Sequence, residues 1–486
     1  MIICGSLNSN KTELLIEQYV QLINNGECPE NILFITLNSF KKEKILKSIN
    51  AFYSNINPTV HTYLGLCYNA ILDNENILLT QISKSKKENL TLCGLEVSQN
   101  LLLDAIKIVG FKDYNSKINL VHQLLRRHAL IVNNNLSEKE IDEKSLILKE
   151  EFAQEAKKAI ELFKAKTVEL KAFDYLRQQS LFKWIYQNTD YCNKFKYIFI
   201  DDFDEQIPSC IDFFKHIKPN LKDYFIGIDP KGSTRIGYLC ADLNSTNILK
   251  ENTLKITAKE PTQNTNIEFF KYTKRLEMLS AITTQIDKLL KEGTAKDEIS
   301  IITPVFDNQL KFVLKNHFDK TKTNIQMISG SEKLSDDVFI KSILNLLKLI
   351  NNTEKDIFAN TDILNNVFPT LLNIPQKKSI EIIKIFQKNK GFIKHDFKDE
   401  KTNASYNRFL DTAISINCKI SLEEQLDKIY KEIIAYRKTT EEELSNFLFL
   451  KKQIKDLEET DIYKDKKKIL NQIGNSIISE NDVNGL

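Results

Sequence analysis

Met1-Ile-Ile-Cys-Gly-Ser-Leu-Asn-Ser-Asn-Lys-Thr12 opens the chain, and the reading of this stretch decides the fold. Met1 to Cys4 has the composition of a short buried strand, and Gly5 to Asn10 that of a turn. From 11 to 23 the apolar residues Leu14, Leu15, Tyr19, Leu22 and Ile23 recur at helical spacing. Strand, turn and helix in that order aim a helix amino terminus at the turn, where backbone N–H groups and the helix dipole favour an anion. Gly5 to Thr12 approximates G-x-x-x-x-G-K-[ST], with Asn10 in place of the second glycine. Gly5, Ser9 and Asn10 would line the phosphates, Lys11 would reach them, and the Thr12 hydroxyl would meet Mg²⁺. Asn is the non-glycine residue best able to take a left-handed backbone, which is how Asn10 would be accommodated. The same residues also suit an ordinary βα turn.

Working outward, 31–37 is an apolar run of strand length and 41–52 a second helix. The pattern is that of an α/β domain with a parallel sheet. From about 66 to 184 the sequence reads as mostly helical. Strand character returns at Tyr197-Ile-Phe-Ile-Asp-Asp-Phe-Asp-Glu205, where four apolar residues precede four acids among five. A carboxylate at a strand end is how a phosphate-binding site reaches Mg²⁺, and a second beside it can orient a water. A surface acidic turn is the plainer alternative. Residues 223–229 repeat the form after one helix. Residues 267–272 and 299–303 read as strands flanking a helix at 276–292, and beyond Asp336 the pattern is helical. The charged run 451–468 suits a solvated helix face.

Composition bounds the class. The chain has 486 residues, 42% hydrophobic and 27% charged, which is globular and long enough for three or four domains. A net charge of +3 does not by itself mark a nucleic-acid partner, so any such groove must be locally basic. Eight scattered cysteines without a Cys-x-x-Cys pair argue against a zinc site or a disulfide framework. No stretch is long and apolar enough to span a bilayer, and the expectation is a soluble cytoplasmic protein without a membrane partner.

Several segments together carry a resemblance. Gly5 to Thr12 looks like motif I of the UvrD/Rep-type superfamily 1 helicases. Residues 31–45 are similar to motif Ia ("ILALTFTNKAAEEM"), and Thr62-Tyr-Leu-Gly-Leu-Cys67 to motif Ib ("TFHSFC"). Ile200-Asp-Asp-Phe-Asp-Glu205 resembles motif II ("VDEFQD"), and Ile226 to Arg235 motif III ("VGDPDQSIYR"). Residues 299–310, then 330–347, resemble the motif IV region and its following helix. The likeness covers about residues 1 to 350.

The resemblance implies an α/β P-loop NTPase of RecA-like fold, with a parallel-sheet motor domain, helical insertions and a partial second RecA-like domain. The expected division is a first motor domain (1–65 plus 185–260), a helical insertion (66–184), a partial second motor domain (265–350) and a helical region (351–486). It implies ATP and Mg²⁺ as cofactors and DNA, single-stranded or partly duplex, as partner, with DNA repair as the setting. Lys11 and Thr12 would hold phosphates and metal, Asp201 would be the metal carboxylate, and Asp202 would stand where the family has its catalytic Glu. Lys231 stands at the γ-phosphate-sensing Gln, and Arg235 matches the motif III Arg. Thr36, Asn38, Ser39, Thr62, Tyr63 and Tyr68 would contact DNA, with the aromatic residues Phe40, Tyr63 and Tyr68 stacking on bases or lying in the core.

The departures are specific. With β-strand character starting at Met1, the expectation is a chain lacking the adenine-recognising Gln segment that precedes motif I in the family, and Pro304 lies near the place where motif IV carries an Arg. Nothing after residue 350 resembles motifs V and VI, and only Arg408 and Arg437 occur there. The expectation is a truncated, split or decayed helicase module, weakly active alone, with a second polypeptide as candidate source of the missing motor half. The alternatives are a non-catalytic scaffold similar to the AddB-type subunit of helicase–nuclease complexes, and a P-loop NTPase unrelated to DNA.

Overall fold

The computed structural model describes residues 1–6, 9–53, 56–82, 89–111, 117–232, 235, 240–242, 244–249, 255–257, 267–304, 307–321, 323, 332–334, 337–353, 357–416, 418–460, 465–473 and 477–478. The chain divides into two compact units, Met1–Pro261 with Lys333–Leu486, and Thr262–Glu332. Among the described residues no helix is long and apolar enough to cross a membrane.

Strand β1 (Ile2–Cys4) leads to helix α1 (Lys11–Asn24), β2 (Ile32–Thr36) to α2 (Ser39–Phe52), and β3 (Thr59–Thr62) to α3 (Tyr63–Asp73) and α4 (Glu75–Gln81). An excursion follows through β4 (Thr91–Leu92), α5 (Leu95–Val109), α6 (Lys117–Asn133), α7 (Glu138–Ile147), α8 (Ala153–Glu169) and β5 (Ala172–Phe173). The chain returns by α9 (Tyr175–Asn188) to β6 (Tyr197–Ile200), α10 (Pro208–Ile217), β7 (Asp223–Ile228) and β8 (Lys255–Thr257). Six strands form one parallel sheet in the order β3-β2-β6-β7-β1-β8.

The inner strands are apolar throughout because both faces of the sheet are covered. Alternate residues of each strand feed opposite cores. Leu33, Ile35, Ile198, Ile200 and Ile226 face α3, α9 and α10 through Leu66, Ala70, Phe182, Ile185 and Phe214. Ile3, Ile32, Phe34, Phe199 and Phe225 face α1 and α2 through Leu15, Tyr19, Ile45 and Ile49. On that second face Phe199 stacks between Phe225 (ring centroids 4.4 Å apart) and Phe34 (5.4 Å), with Tyr19 edge-on at 5.7 Å.

The sheet claims more of the chain than its sequence suggested. Helices α3 and α9 bury apolar faces on it, so the excursion is bounded by the parallel pair of β4 and β5 rather than by residues 66 and 184. That pair, β3 and β8 had no strand signature in the sequence.

In the second unit, α11 (Arg275–Lys291) and α12 (Asn308–Thr321) pack through Leu279, Ile286, Leu310, Leu314 and Phe318. The expected strands at 267–272 and 299–303 are not formed. No ladder exists among the described residues 267–323, and Phe269 and Ile302 stand 93% and 95% exposed. Two helices bury too little apolar surface to fix a strand without a neighbouring one. Residues 305–306 and 330–331, part of the expected motif IV region, lie outside the described residues.

The remaining helices, α13 (Val338–Ile350), α14 (Thr361–Leu372), α15 (Gln376–Asn389), α16 (Glu400–Ser415), α17 (Leu422–Glu432), α18 (Glu441–Glu459) and α19 (Lys466–Ile473), share one core with α5, α6 and α8. Helix α13 was expected to end the partial second motor domain. It lies in this helical core instead, because Phe339, Ile340, Ile343, Leu346 and Leu347 are too apolar around the helix to leave one face in water.

Candidate functional site

The carboxyl ends of β1, β2, β6 and β7 converge at one edge of the sheet. The Gly5 amide extends the ladder by donating to the Ile228 carbonyl at 3.0 Å. The chain then turns into α1, with Ser9 amide and hydroxyl both donating to the Ser6 carbonyl (3.1 and 2.8 Å). Leu7 and Asn8, the tip of this loop, lie outside the described residues. Asn10 caps α1 with φ −80° and ψ 27°, so no left-handed backbone is needed there and the missing glycine costs nothing conformationally.

Lys11 and Thr12 begin α1, and both turn toward the end of β6. The Thr12 hydroxyl donates to Asp201 Oδ2 at 2.9 Å, across 189 residues of sequence. Lys11, only 1% exposed, places Nζ 2.8 Å from Asp202 Oδ1. A third residue enters from α2: Lys41 Nζ binds Asp202 Oδ2 and lies 3.6 Å from Asp201 Oδ2. Asp202 therefore sits between two ammonium groups. Its backbone is left-handed (φ 48°, ψ 53°), a region that Asp tolerates better than Glu. The side chain one methylene shorter than the family's Glu thus has a backbone reason.

The two acids differ electrostatically. Burial, reinforced by the neighbouring Asp202 charge, pushes the Asp201 carboxyl up to about 6. Burial acts on Asp202 in the same sense, but Lys41 and Lys11 outweigh it and hold that carboxyl below the usual range. Burial alone would lower the Lys41 ammonium, and the two carboxylates raise it instead. Asp201 Oδ1 faces inward without a hydrogen-bond partner, against Gly227 of β7, where a Cβ would come within 3.1 Å of it.

The rest of the acidic turn builds the neighbouring loop. Asp204 Oδ1 accepts the Asp229 amide at 2.9 Å, and Asp204 Oδ2 lies so close to Gly232 that a Cβ there would stand 1.8 Å away. Glu205 Oε2 accepts the Arg235 amide at 2.9 Å, and Gln206 Nε2 donates to the Asp201 carbonyl at 3.3 Å.

Residues 1–233 match the UvrD/REP helicase N-terminal domain. The chain thus carries an N-terminal domain of UvrD/REP type. No curated protein matches the chain.

Against that family, the expected residues fall into three groups. Gly5, Ser9, Asn10, Lys11, Thr12, Asp201 and Asp202 lie at one sheet edge. Lys231 is exposed, and its amide donates to Asp229 Oδ1 at 2.8 Å; the described contact of Arg235 with the acidic turn is also through its amide. Ser233 and Thr234 between them lie outside the described residues. The residues expected on DNA divide differently. Thr36 is fully buried, so its hydroxyl is not presented at the surface. Tyr63 is core as well: its hydroxyl donates to the Ser209 carbonyl at 3.2 Å and its ring meets Phe182 edge-on. Thr62 caps α3 by accepting the Gly65 amide at 3.0 Å, and Asn38 caps α2 by accepting the Lys41 amide at 2.9 Å. Ser39 and Tyr68 are half-buried, and Phe40, next to Ser39 in the chain, is 77% exposed.

The two arginines after residue 350 are engaged within the helical region. Arg437 donates to the Thr370 carbonyl at 2.7 Å, pairs with Glu443 and covers the Phe339 ring. Arg408 stacks 3.8 Å from the Tyr436 ring centroid.

A hydroxyl beside a strand-end carboxylate is the donor type that a divalent cation takes with phosphates. Here the fit fails on charge. Both Asp202 oxygens are engaged by ammonium groups, and Lys41 stands 3.6 Å from the Asp201 oxygen that Thr12 also uses. Among the described residues no group of three or more His, Cys, Asp or Glu could hold a metal ion. Lys41 is the residue at this site that the sequence reading did not single out. The motif Ia likeness drew attention to 36–40, and only the pairing of β2 with β6 shows that the next residue overhangs the acids.

Proposed function

We propose that this chain is a DNA-directed, ATP-binding module of the UvrD/Rep type that hydrolyses ATP very slowly and does not separate strands alone. One observation carries the reading: Lys11 and Thr12, at the amino end of a helix behind a parallel strand, meet the buried acids Asp201 and Asp202 brought from 189 residues away. A buried lysine and first-turn amides at a sheet edge suit a polyphosphate. Slow turnover follows from three features. Asp202 is short and doubly paired, so it is a poor base for water. The carboxylates that Mg²⁺ would need are engaged by Lys41. Arg408 stacks on Tyr436 at the surface of the helical region and Arg437 is tied to the Thr370 carbonyl and Glu443, engagements unlike the transition-state role that an arginine plays in related NTPases. The exposed Phe40, next to Asn38 and Ser39, supports a single-stranded or partly duplex DNA partner through base stacking.

The test is nucleotide binding and ATPase activity on the purified chain, with and without single-stranded DNA. The expected result is ATP binding lost in Lys11→Ala, with turnover far below the ~1 s⁻¹ at the low end of ordinary enzymes. Turnover of several per second, stimulated by DNA, would overturn the slow-hydrolysis reading. DNA binding without turnover, weakening steeply with salt, would place the chain with the non-catalytic scaffold subunits. No binding of either ligand would end the proposal.

A further inference from the structure

We propose that Lys41 takes the place of the divalent cation at the carboxylates, so that the cleft binds nucleotide phosphates on two lysine ammoniums without metal. The inference rests on the nucleotide-binding reading above and specifies its chemistry. Lys41 is placed by the fold. Strand β2 lies beside β6 with Ile35 opposite Ile200, and the Asp201 amide donates to the Ile35 carbonyl at 2.9 Å. The chain leaving β2 therefore starts α2 next to the acids. Asn38 caps that helix through the Lys41 amide, which fixes the first turn from which the side chain reaches over the sheet edge. Its Nζ binds Asp202 Oδ2 and stands 3.6 Å from Asp201 Oδ2, the oxygen that also accepts Thr12. The Lys41 side chain is one-quarter exposed, whereas that of Lys11 is only 2% exposed. Lys41 thus lies on the open side of the acids, where a phosphate would arrive.

The charge count favours the same conclusion. Asp201 and Asp202 face the ammonium groups of Lys11 and Lys41, so these two carboxylates are already paired within the chain, while the third buried acid, Asp204, accepts the Asp229 amide. A divalent ion at the Thr12 and Asp201 oxygens would sit against the Lys41 ammonium and would have to displace it. Mg²⁺ sheds its water reluctantly and demands a regular shell of oxygens. An ammonium on a flexible stem has three rotatable donors, so it can bridge a carboxylate and a phosphate oxygen together.

The experiment is a titration of fluorescent ATP and ADP into the full chain, once in excess EDTA and once in Mg²⁺, for wild type and Lys41→Met. The methionine keeps the stem and removes the charge. The inference expects wild-type dissociation constants in the two media within about threefold, well under one decade of affinity. It expects Lys41→Met to lose about tenfold or more in EDTA and to regain binding in Mg²⁺. Wild-type binding that requires Mg²⁺ overturns the inference and leaves the nucleotide site standing; that comparison needs no variant. Lys41→Met binding as well as wild type in EDTA also overturns it. Absence of wild-type binding in both media removes the nucleotide reading and this inference with it.

Discussion

Asp202 at the sheet edge and Asp456 in the helical core are both buried, and they answer burial in opposite ways. Asp202 lies between Lys11 and Lys41 and is held ionised, with its carboxyl below the usual range although burial opposes it. Asp456, on α18, accepts the Gly94 amide at the start of α5 at 3.3 Å, next to Glu96 and to Gln453, whose Oε1 is buried without a hydrogen-bond partner. Burial pushes its carboxyl up to about 7, and the Coulombic pull of Lys452 and Lys455 does not reverse it. Partners, not depth, decide whether a buried acid stays charged. The sheet edge keeps charge where a ligand can use it. The helical core spends the same residue type on joining the excursion after β4 to the carboxy-terminal helices.

The same substitution should therefore have opposite signs in the two regions. Asp202→Asn preserves size and tolerance of the left-handed backbone but leaves Lys11 buried without its counter-ion. The expected loss is on the order of 3 kcal/mol at neutral pH, as for other broken buried pairs, measured by urea unfolding. A loss below about 0.5 kcal/mol, the size of an ordinary surface substitution, would show that Asp202 is not held as a buried ion pair.

The contrast was only partly legible in the sequence. Ile32–Thr36 and Tyr197–Ile200 announced themselves as central strands because buried parallel strands are apolar on both faces. The strand-end acids and Lys11-Thr12 were found by type and spacing. Strand β3, Thr-Val-His-Thr, was missed because an edge strand needs no apolar run. The apolar residues at 267–272 misled, since a strand exists only where another pairs with it. Tyr63 could have been assigned to the core from its neighbours, because Leu66, Cys67 and Ala70 follow it at helical spacing and all are buried. Lys41 could not, because its role depends on which strand lies beside β2.

Asp456→Asn should stabilise. The folded carboxyl titrates near 7 against an ordinary value of about 4. The folded state then holds more protons across that interval, so stability falls as pH rises from about 4 through about 7. An amide cannot ionise, so the variant should match wild type near pH 4 and exceed it by about 1–3 kcal/mol at pH 8. Thermal or urea unfolding across pH 4–8 checks this. A variant less stable than wild type at pH 8 would mean that the Asp456 carboxylate is favourably paired in the folded state, and the contrast with Asp202 would collapse.

The smallest effect tests how the sheet edge acquires its second cation. Asn38 is exposed, and its Oδ1 accepts the Lys41 amide, so it contributes only a helix cap. Asn38→Ala should cost about 1 kcal/mol, the usual value of such a cap. The loss should not be confined to stability. Fraying the first turn of α2 loosens the residue whose ammonium screens Asp202, so part of the buried pair's advantage should go with it. In a double-mutant cycle with Lys41→Met, the two losses should then be less than additive, because either change alone withdraws the same ammonium from the acids. Strict additivity would mean that the cap stabilises α2 without directing Lys41. Lys41 would then reach Asp202 without help from the cap, and the two cations at the sheet edge would rest on the pairing of β2 with β6 alone.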